Sequence, residues 1–146
     1  GRKTARDGGE NAKAIAAQIA KTEAELRASG SAAALSMADR LQSAREAFLQ
    51  VVDFVVGKAK ASPNAVYAGS VPYLMLAGNL MAGWQMGRAM LVAQDKLAQG
   101  EDVPFMQSKI ATAQFYGEHI LTRTASLRDS ILLGGESACA LPLEAF

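Results

Sequence analysis

Hydrophobic positions recur every three or four residues through four long stretches of the chain, and this spacing predicts four amphipathic helices. The first helix is expected over residues 10–28, and Gly30 is well placed to end it with a positive φ. Ser31 is a suitable N-cap for the second helix, whose hydrophobic stripe continues to about Ala61.

A break follows at Ser62-Pro63-Asn64, and residues 65–70 are expected to form an irregular connection. The third helix is predicted over residues 71–99, with Pro72 in its first turn. No charged residue occurs over residues 61–87. Small residues punctuate the helix, namely Ala77, Gly78, Ala82, Gly83, Gly87 and Ala89. Because a helix without a polar face has to be buried, we expect this one to be central, with the other helices laid around it.

Asp102 is expected to cap the fourth helix, with Pro104 in its first turn and Gly134-Gly135 at its end. The stripe of this helix is Met106, Ile110, Ala113, Gly117, Ile120, Thr124, Leu127 and Ile131. The tail, residues 136–146, is expected to hold one short helical turn before Pro142 and to dock through Leu141, Leu143 and Phe146.

Four long helices with short connections predict an all-α fold, an up-down four-helix bundle with a short C-terminal tail. The length of 146 residues fits one domain, residues 1–146, with residues 1–9 as a lead-in.

Composition narrows the function classes. The net charge is +1 with both signs interspersed, which argues against a nucleic-acid platform. The single cysteine, Cys139, excludes an internal disulfide and favours a reducing, cytoplasmic setting. The N-terminus lacks the apolar run of a signal peptide, and the missing initiator methionine indicates a piece of a longer protein.

A membrane span is a weaker interpretation of the uncharged stretch. Gly83-x-x-x-Gly87 matches the spacing of membrane helix pairs. However, the uninterrupted apolar part, residues 73–87, is shorter than the ~20 residues that a span needs. Asn79 and Gln85 also lie within it, so a buried bundle helix is preferred.

Residues suited to catalysis or metal binding are sparse. His119, the single histidine, has no Cys, His or carboxylate cluster around it and is expected on a helix surface. Cys139 is expected to be a small, buried or half-buried residue. The carboxylate pairs at 23/25 and 101/102 are expected to be helix face and cap, and no serine lies in a GxSxG turn. No catalytic, cofactor-binding or metal-ligating residue is therefore assigned.

Trp84 allows two interpretations. A lone tryptophan in a core helix usually packs and points its N–H at one partner. Alternatively, Trp84 marks a contact face for another domain together with Tyr73 and Arg88. The basic group at Arg2 and Lys3 could pair with phosphates or with the carboxylates of a preceding domain.

Several motifs together resemble one branch of the acyl-CoA dehydrogenases, the long bacterial type that includes methylmercaptopropionyl-CoA dehydrogenase-like enzymes. They are Gly1-Arg2-Lys3-x-x-Arg6-Asp7-Gly8-Gly9, Tyr73-Leu74-x-Leu76-x-Gly78, Gly83-Trp84 and Lys109-Ile110-Ala111-Thr112-Ala113-Gln114-Phe115-Tyr116, with a Leu-rich close ahead of Gly134. The resemblance covers essentially the whole chain and places it at the C-terminus of the family's proteins.

The resemblance implies a longer parent that binds FAD and acyl-CoA upstream and oxidises acyl-CoA to 2,3-enoyl-CoA. In this branch the catalytic glutamate is expected in a Glu-Gly-Thr loop just before the Gly1-Arg2-Lys3 segment, so no catalytic residue is carried over. This region is then a structural domain that holds no cofactor. Its expected partners are the upstream catalytic domain of the same chain and further copies in a homo-oligomer. Arg2 and Lys3 are the first candidates for that contact, followed by Tyr73, Trp84 and Arg88.

Two other functions remain open from the sequence. One is a stand-alone helical-bundle module that binds a partner helix. The other is a peripheral membrane element, against which the lack of a strongly basic amphipathic face argues.

Overall fold

The fold was analysed in a computed structural model, which describes residues 4, 7–59, 61, 63–140, 142 and 144. Within that part of the chain all regular structure is helical, which confirms the all-α bundle. The elements are α1 (Glu10–Ser29), α2 (Ala32–Lys58), α3 (Pro63–Ala68), α4 (Ser70–Ala98), α5 (Val103–His119), a 3₁₀ turn (Leu121–Arg123) and α6 (Thr124–Ala138).

The long helices run up and down. Side chains of α1 and α2 pair in opposite order along the two helices, since Glu23 meets Arg45 and Arg27 meets Asp39. Helix α4 runs against α2 and alongside α1, where the Trp84 indole reaches α1. Helix α5 returns along α4 and also packs on α2. The core therefore lies between α2 and α4, with α1, α5 and α6 around them.

The predicted junction between the first two helices is confirmed. Gly30 has φ +74°, the left-handed conformation that glycine adopts without strain. The Ser31 hydroxyl accepts a hydrogen bond from the Ala34 N–H at 3.1 Å, which caps α2. Asp102 precedes α5 as expected, but its backbone is left-handed, with φ +45°, and its side chain makes no capping hydrogen bond. The prediction of a side-chain cap by Asp102 is therefore wrong.

Small residues on α4 allow close packing, as the sequence predicts. A Cβ atom added to Gly83 would lie 2.6 Å from Leu121, and one added to Gly87 would lie 3.0 Å from Leu41. Both leucines are fully buried. The largest fully buried side chains of the core are Ile19, Leu26, Met37, Leu41, Val51, Val52, Leu76, Leu80, Met90, Leu121 and Ile131.

Two predicted connections differ from the structure. The segment 65–70 is not an irregular connection, because most of it belongs to the short helix α3. Pro63 is the first residue of that helix, a position that suits proline. The predicted fourth helix is divided by the 3₁₀ turn. There the Thr124 hydroxyl donates to the Leu121 carbonyl at 2.6 Å, and such local side-chain bonds compete with the helical ladder.

Gly134-Gly135 does not end the last helix, which continues to Ala138. Neither glycine has a positive φ, so both fit the helical ladder. The helical turn expected in the tail thus belongs to α6. Leu141, Leu143 and Phe146 lie outside the described residues, and their docking stays a prediction.

The prediction that the third predicted helix, which is α4, is buried on all sides is wrong. One side of α4 packs on α1, α2, α5 and α6, but the opposite side faces solvent although it is apolar. Among the described helices, none combines the length and apolarity that a membrane crossing requires.

Candidate docking site

An exposed apolar face lies on the N-terminal half of α4, and we call it the outer face. It comprises Val71, Leu74, Met75, Gly78 and Met81, whose spacing of three and four residues places them on one side of the helix. The fractional exposures of the four large residues are 67%, 68%, 53% and 37%. The face is a continuous hydrophobic stripe, and none of the described residues covers it.

Beside the outer face, α1 and α4 enclose a groove of about 290 Å³. Met81 belongs to both, so the outer face continues into the groove. The walls are mostly apolar and the rim carries three polar side chains. The lining residues are Thr4, Asp7, Asn11, Ala12, Ile15, Phe48, Tyr73, Ala77, Leu80 and Met81.

The described start of the chain is held at the same end of α4. The hydroxyls of Thr4 and Tyr73 form a hydrogen bond of 2.8 Å. The Asp7 carboxylate accepts from the Gly9 N–H at 2.9 Å, which shapes the turn into α1. A Cβ atom on Gly9, which has φ +82°, would lie 2.7 Å from Val52. Glycine at this position therefore lets the turn lie directly on α2.

Trp84 satisfies the packing interpretation. Its indole N–H donates to the Thr22 hydroxyl at 2.8 Å, which fastens α4 to α1. The Arg88 guanidinium lies over the indole ring, 5.7 Å from its centroid, and also donates to the Gln85 amide oxygen at 3.4 Å. Gln85 and Arg88 form the polar margin at which the outer face ends.

The residues proposed from sequence for an interdomain contact fall into two groups. Trp84 and Arg88 are in contact, whereas Tyr73 lies three turns earlier on α4 and is buried against Phe48. Arg2 and Lys3 lie outside the described residues. Whether any of the five contacts another domain stays a prediction.

Sequence reasoning missed the outer face itself. Its signal was present, since the apolar residues at 71, 74, 75, 78 and 81 form a helical stripe distinct from that of the buried residues Tyr73, Leu76 and Leu80. From the sequence, the lack of charge predicts burial, in lipid or, as the preferred interpretation, among the other helices of the bundle. An apolar surface that another protein covers gives the same pattern.

The most buried charged pair holds α1 to α2 and is distant from the outer face in sequence. Arg45 donates two hydrogen bonds to the Glu23 carboxylate, at 2.7 and 3.1 Å. The hydrogen bond to Glu23 raises the pKa of Arg45, so the guanidinium stays charged. On α5, burial raises the pKa of Tyr116, whose hydroxyl donates to the Asn79 carbonyl at 2.9 Å. Both contacts are accounted for by helix packing.

The remaining candidates for chemistry lie at the surface. His119 is exposed, as predicted, and stacks on Phe115 with ring centroids 4.2 Å apart. Cys139 directly follows the end of α6 and is exposed, so the predicted burial or half-burial of this residue is wrong. Within the described ranges, no group of three or more His, Cys, Asp or Glu side chains could hold a metal ion.

Comparisons with known proteins agree with the resemblance. The chain is 46% identical over 137 residues to 3-methylmercaptopropionyl-CoA dehydrogenase of Ruegeria pomeroyi, a match that covers 94% of this chain and 23% of the relative. It is 36% identical over 66 residues to the broad-specificity linear acyl-CoA dehydrogenase FadE5 of Mycobacterium tuberculosis, covering 43% of this chain and 11% of the relative. The chain thus spans at most about a quarter of the length of either relative.

A family model described as acetyl-CoA dehydrogenase C-terminal like matches residues 12–142. The matched region runs from α1 through α6 and includes the outer face. On this match and the 46% identity, the chain belongs to the acyl-CoA dehydrogenase C-terminal domain family.

Proposed function

We propose that residues 1–146 form one non-catalytic domain at the C-terminus of an FAD-dependent acyl-CoA dehydrogenase. The parent enzyme oxidises acyl-CoA to 2,3-enoyl-CoA, and this domain packs on the rest of the enzyme. The coverage of the relatives supports the proposal, since this region matches 23% of a dehydrogenase and belongs to a C-terminal family.

The observation that carries the packing role is the outer face of α4. Four large apolar side chains at 37–68% exposure lie on one side of a single helix. Contiguous apolar surface of this kind marks an interaction site in soluble proteins. A domain with a structural role needs such a surface and needs no convergent polar groups.

The linings of two grooves support the absence of FAD from this region. The groove beside α4 is mostly apolar, and the charge of Asp7 at its rim opposes a pyrophosphate. A second groove is lined by Lys13 and Arg45, but both cations face carboxylates, Lys13 Nζ lying 3.9 Å from Asp53 and Arg45 Nε 2.7 Å from Glu23. We therefore assign flavin binding and the chemistry to the part of the parent outside this region.

The test compares the whole parent with a form truncated before Gly1. We expect the whole parent to show the visible flavin absorption band and to lose it when acyl-CoA reduces the flavin, because the flavin supplies the redox chemistry. We expect the truncated form to retain the chemistry when loaded with FAD, with altered assembly in native mass measurements. A whole parent that purifies without FAD and binds none would contradict the proposal and favour a stand-alone interaction module.

A further inference from the structure

We infer that the outer face of α4 is the docking surface for the domain that precedes this region in the same chain. The inference rests on the proposed function and deepens it, since it names the surface and its occupant. The contact comprises Val71, Leu74, Met75 and Met81, together with the groove between α1 and α4.

The chemistry of the outer face selects an apolar partner. No charged residue occurs over residues 61–87, and the first polar residues along the face are Gln85 and Arg88. Spacing of three, four and seven residues is the pattern by which a helix inserts its apolar side into a groove. Gly78, in the middle of the face, has open space where a Cβ would point, so a partner can approach the α4 backbone closely there.

The path of the chain favours the preceding domain as that partner. Thr4 is hydrogen-bonded to Tyr73, one residue before Leu74 of the outer face. Thr4 and Asp7 also form part of the groove rim. Thr4 therefore lies at the end of α4 that carries the outer face, and a domain that precedes this region is joined to it at that end.

The part of the relatives that lies outside the match is large enough to be the partner. The match to 3-methylmercaptopropionyl-CoA dehydrogenase leaves more than three quarters of that protein outside this region. A domain joined by a short link binds as though at about millimolar concentration. Contacts between domains of one chain can therefore be modest in area, roughly 600–1,500 Å², and still be occupied. A second copy of this domain lacks that advantage, so we place it second.

The experiment uses the full-length parent with its flavin. Wild type is compared with Leu74→Glu and Val71→Glu, which place a charge on the outer face. Leu35→Glu is the matched control, because Leu35 is also an exposed leucine and lies on α2 at the opposite end of the bundle. Oxidation of Met75 is followed by mass spectrometry, alongside native mass, flavin absorbance and the thermal transition of each variant.

In wild type we expect Met75 to be protected, although it is more than half exposed in this structure. Either charged variant should raise its oxidation rate about tenfold or more, because burying a carboxylate in an apolar contact is strongly unfavourable. Leu35→Glu should leave the rate unchanged, and native mass should be the same in all four proteins.

Three outcomes would overturn the inference. Met75 could react in wild type as fast as a solvent-exposed methionine, which would leave the face uncovered. Both outer-face variants could fold and keep Met75 protected. Alternatively, they could lower the native mass, which would assign the face to a second copy. Flavin absorbance separates these results from failure of the proposed function, because a colourless parent can still show a covered or an open outer face.

Discussion

Glycines on α4 have opposite roles according to which side of the helix they occupy. Gly83 lies against Leu121, whereas Gly78 lies on the outer face with open space around its missing side chain. The same residue type therefore permits close packing at one position and weakens the helix at the other.

Replacing these two glycines by alanine should change stability in opposite directions. For Gly83→Ala, a Cβ atom 2.6 Å from the buried Leu121 forces a shift of the core, at a cost of about 1–3 kcal/mol. The helix propensity of alanine recovers only about 0.5–1 kcal/mol. We expect a net loss of up to about 2.5 kcal/mol in the free energy of unfolding. Gly78→Ala, the control, should gain about 0.5–1 kcal/mol. Urea denaturation followed by circular dichroism measures both, and a stabilised Gly83→Ala would contradict the packing.

The hydrogen bond between Trp84 and Thr22 gives a second prediction. Thr22→Val keeps the shape of the buried side chain but removes the acceptor of the indole N–H. Leaving that donor unpaired should cost about 1–2 kcal/mol of unfolding free energy. Thr112→Val is the matched control, since the Thr112 hydroxyl is exposed and bonds only within its own helix. Its cost should stay within about 0.5 kcal/mol.

Trp84 is the single tryptophan, so its fluorescence reports the unfolding of both variants. An equal loss of stability in Thr22→Val and Thr112→Val would mean that the indole bond contributes nothing beyond the removal of a hydroxyl group.

Between elements, α1 and α2 are held by one nearly buried ion pair and by exposed pairs, of which Arg27–Asp39 is shorter than Lys13–Asp53. In the first, the Glu23 side chain is 6% exposed and that of Arg45 is 20% exposed. In the second, Arg27 and Asp39 are 39% and 70% exposed. Both pairs join α1 to α2, but Arg45 donates to both carboxylate oxygens of Glu23, whereas Arg27 donates once to Asp39 and once to the Gln42 amide oxygen. They therefore compare a nearly buried, two-bond ion pair with an exposed, one-bond pair.

Removing one partner from each pair should therefore have unequal effects. Arg45→Met leaves the Glu23 carboxylate buried without its cation, and we expect a loss of about 2–4 kcal/mol in unfolding free energy. Asp39→Asn should cost at most about 1 kcal/mol, because exposed pairs are screened by water. The double variant Glu23→Leu/Arg45→Met should recover much of the loss. Similar losses for Arg45→Met and Asp39→Asn would show that burial does not govern these pairs.

Periodicity and capping residues predict the helices well where the local signal and the tertiary contacts agree. The junction at Gly30 and Ser31 is an example, since both the positive φ and the cap are properties of those residues themselves. The division between α5 and α6 could not be predicted, because the hydrophobic stripe continues through Thr124 while the hydroxyl bond to Leu121 changes the backbone. Hydrophobic periodicity shows which side of a helix is apolar, but it does not reveal a single turn in which the helix changes from α to 3₁₀.

The outer face shows the limit of the same reasoning for the site. The hydrophobicity of Leu74 and Met75 predicts that they are buried. It does not specify whether helices of this bundle or another domain bury them. Only the packed arrangement, in which α1, α2, α5 and α6 occupy the other sides of α4, shows that nothing in the described part of the chain covers them.

At the scale of the whole molecule, an uncovered apolar face and a net charge of +1 predict weak self-association of the 146-residue protein. Charge repulsion is too small to oppose contact between copies, and the outer face gains from any apolar cover. We expect the sedimentation coefficient to rise with concentration. Sodium sulfate should strengthen the effect, because excluded salts favour apolar burial.

Leu74→Glu should abolish this self-association, whereas Leu35→Glu should retain it. The contrast follows from position, since Leu74 lies on the outer face and Leu35 at the other end of the bundle. In the full-length parent the same face would be occupied and unavailable to a second copy, so the parent's native mass should not depend on Leu74. Self-association that persists in Leu74→Glu, or that is lost equally in Leu35→Glu, would show that general surface hydrophobicity, and not the outer face of α4, drives the contact.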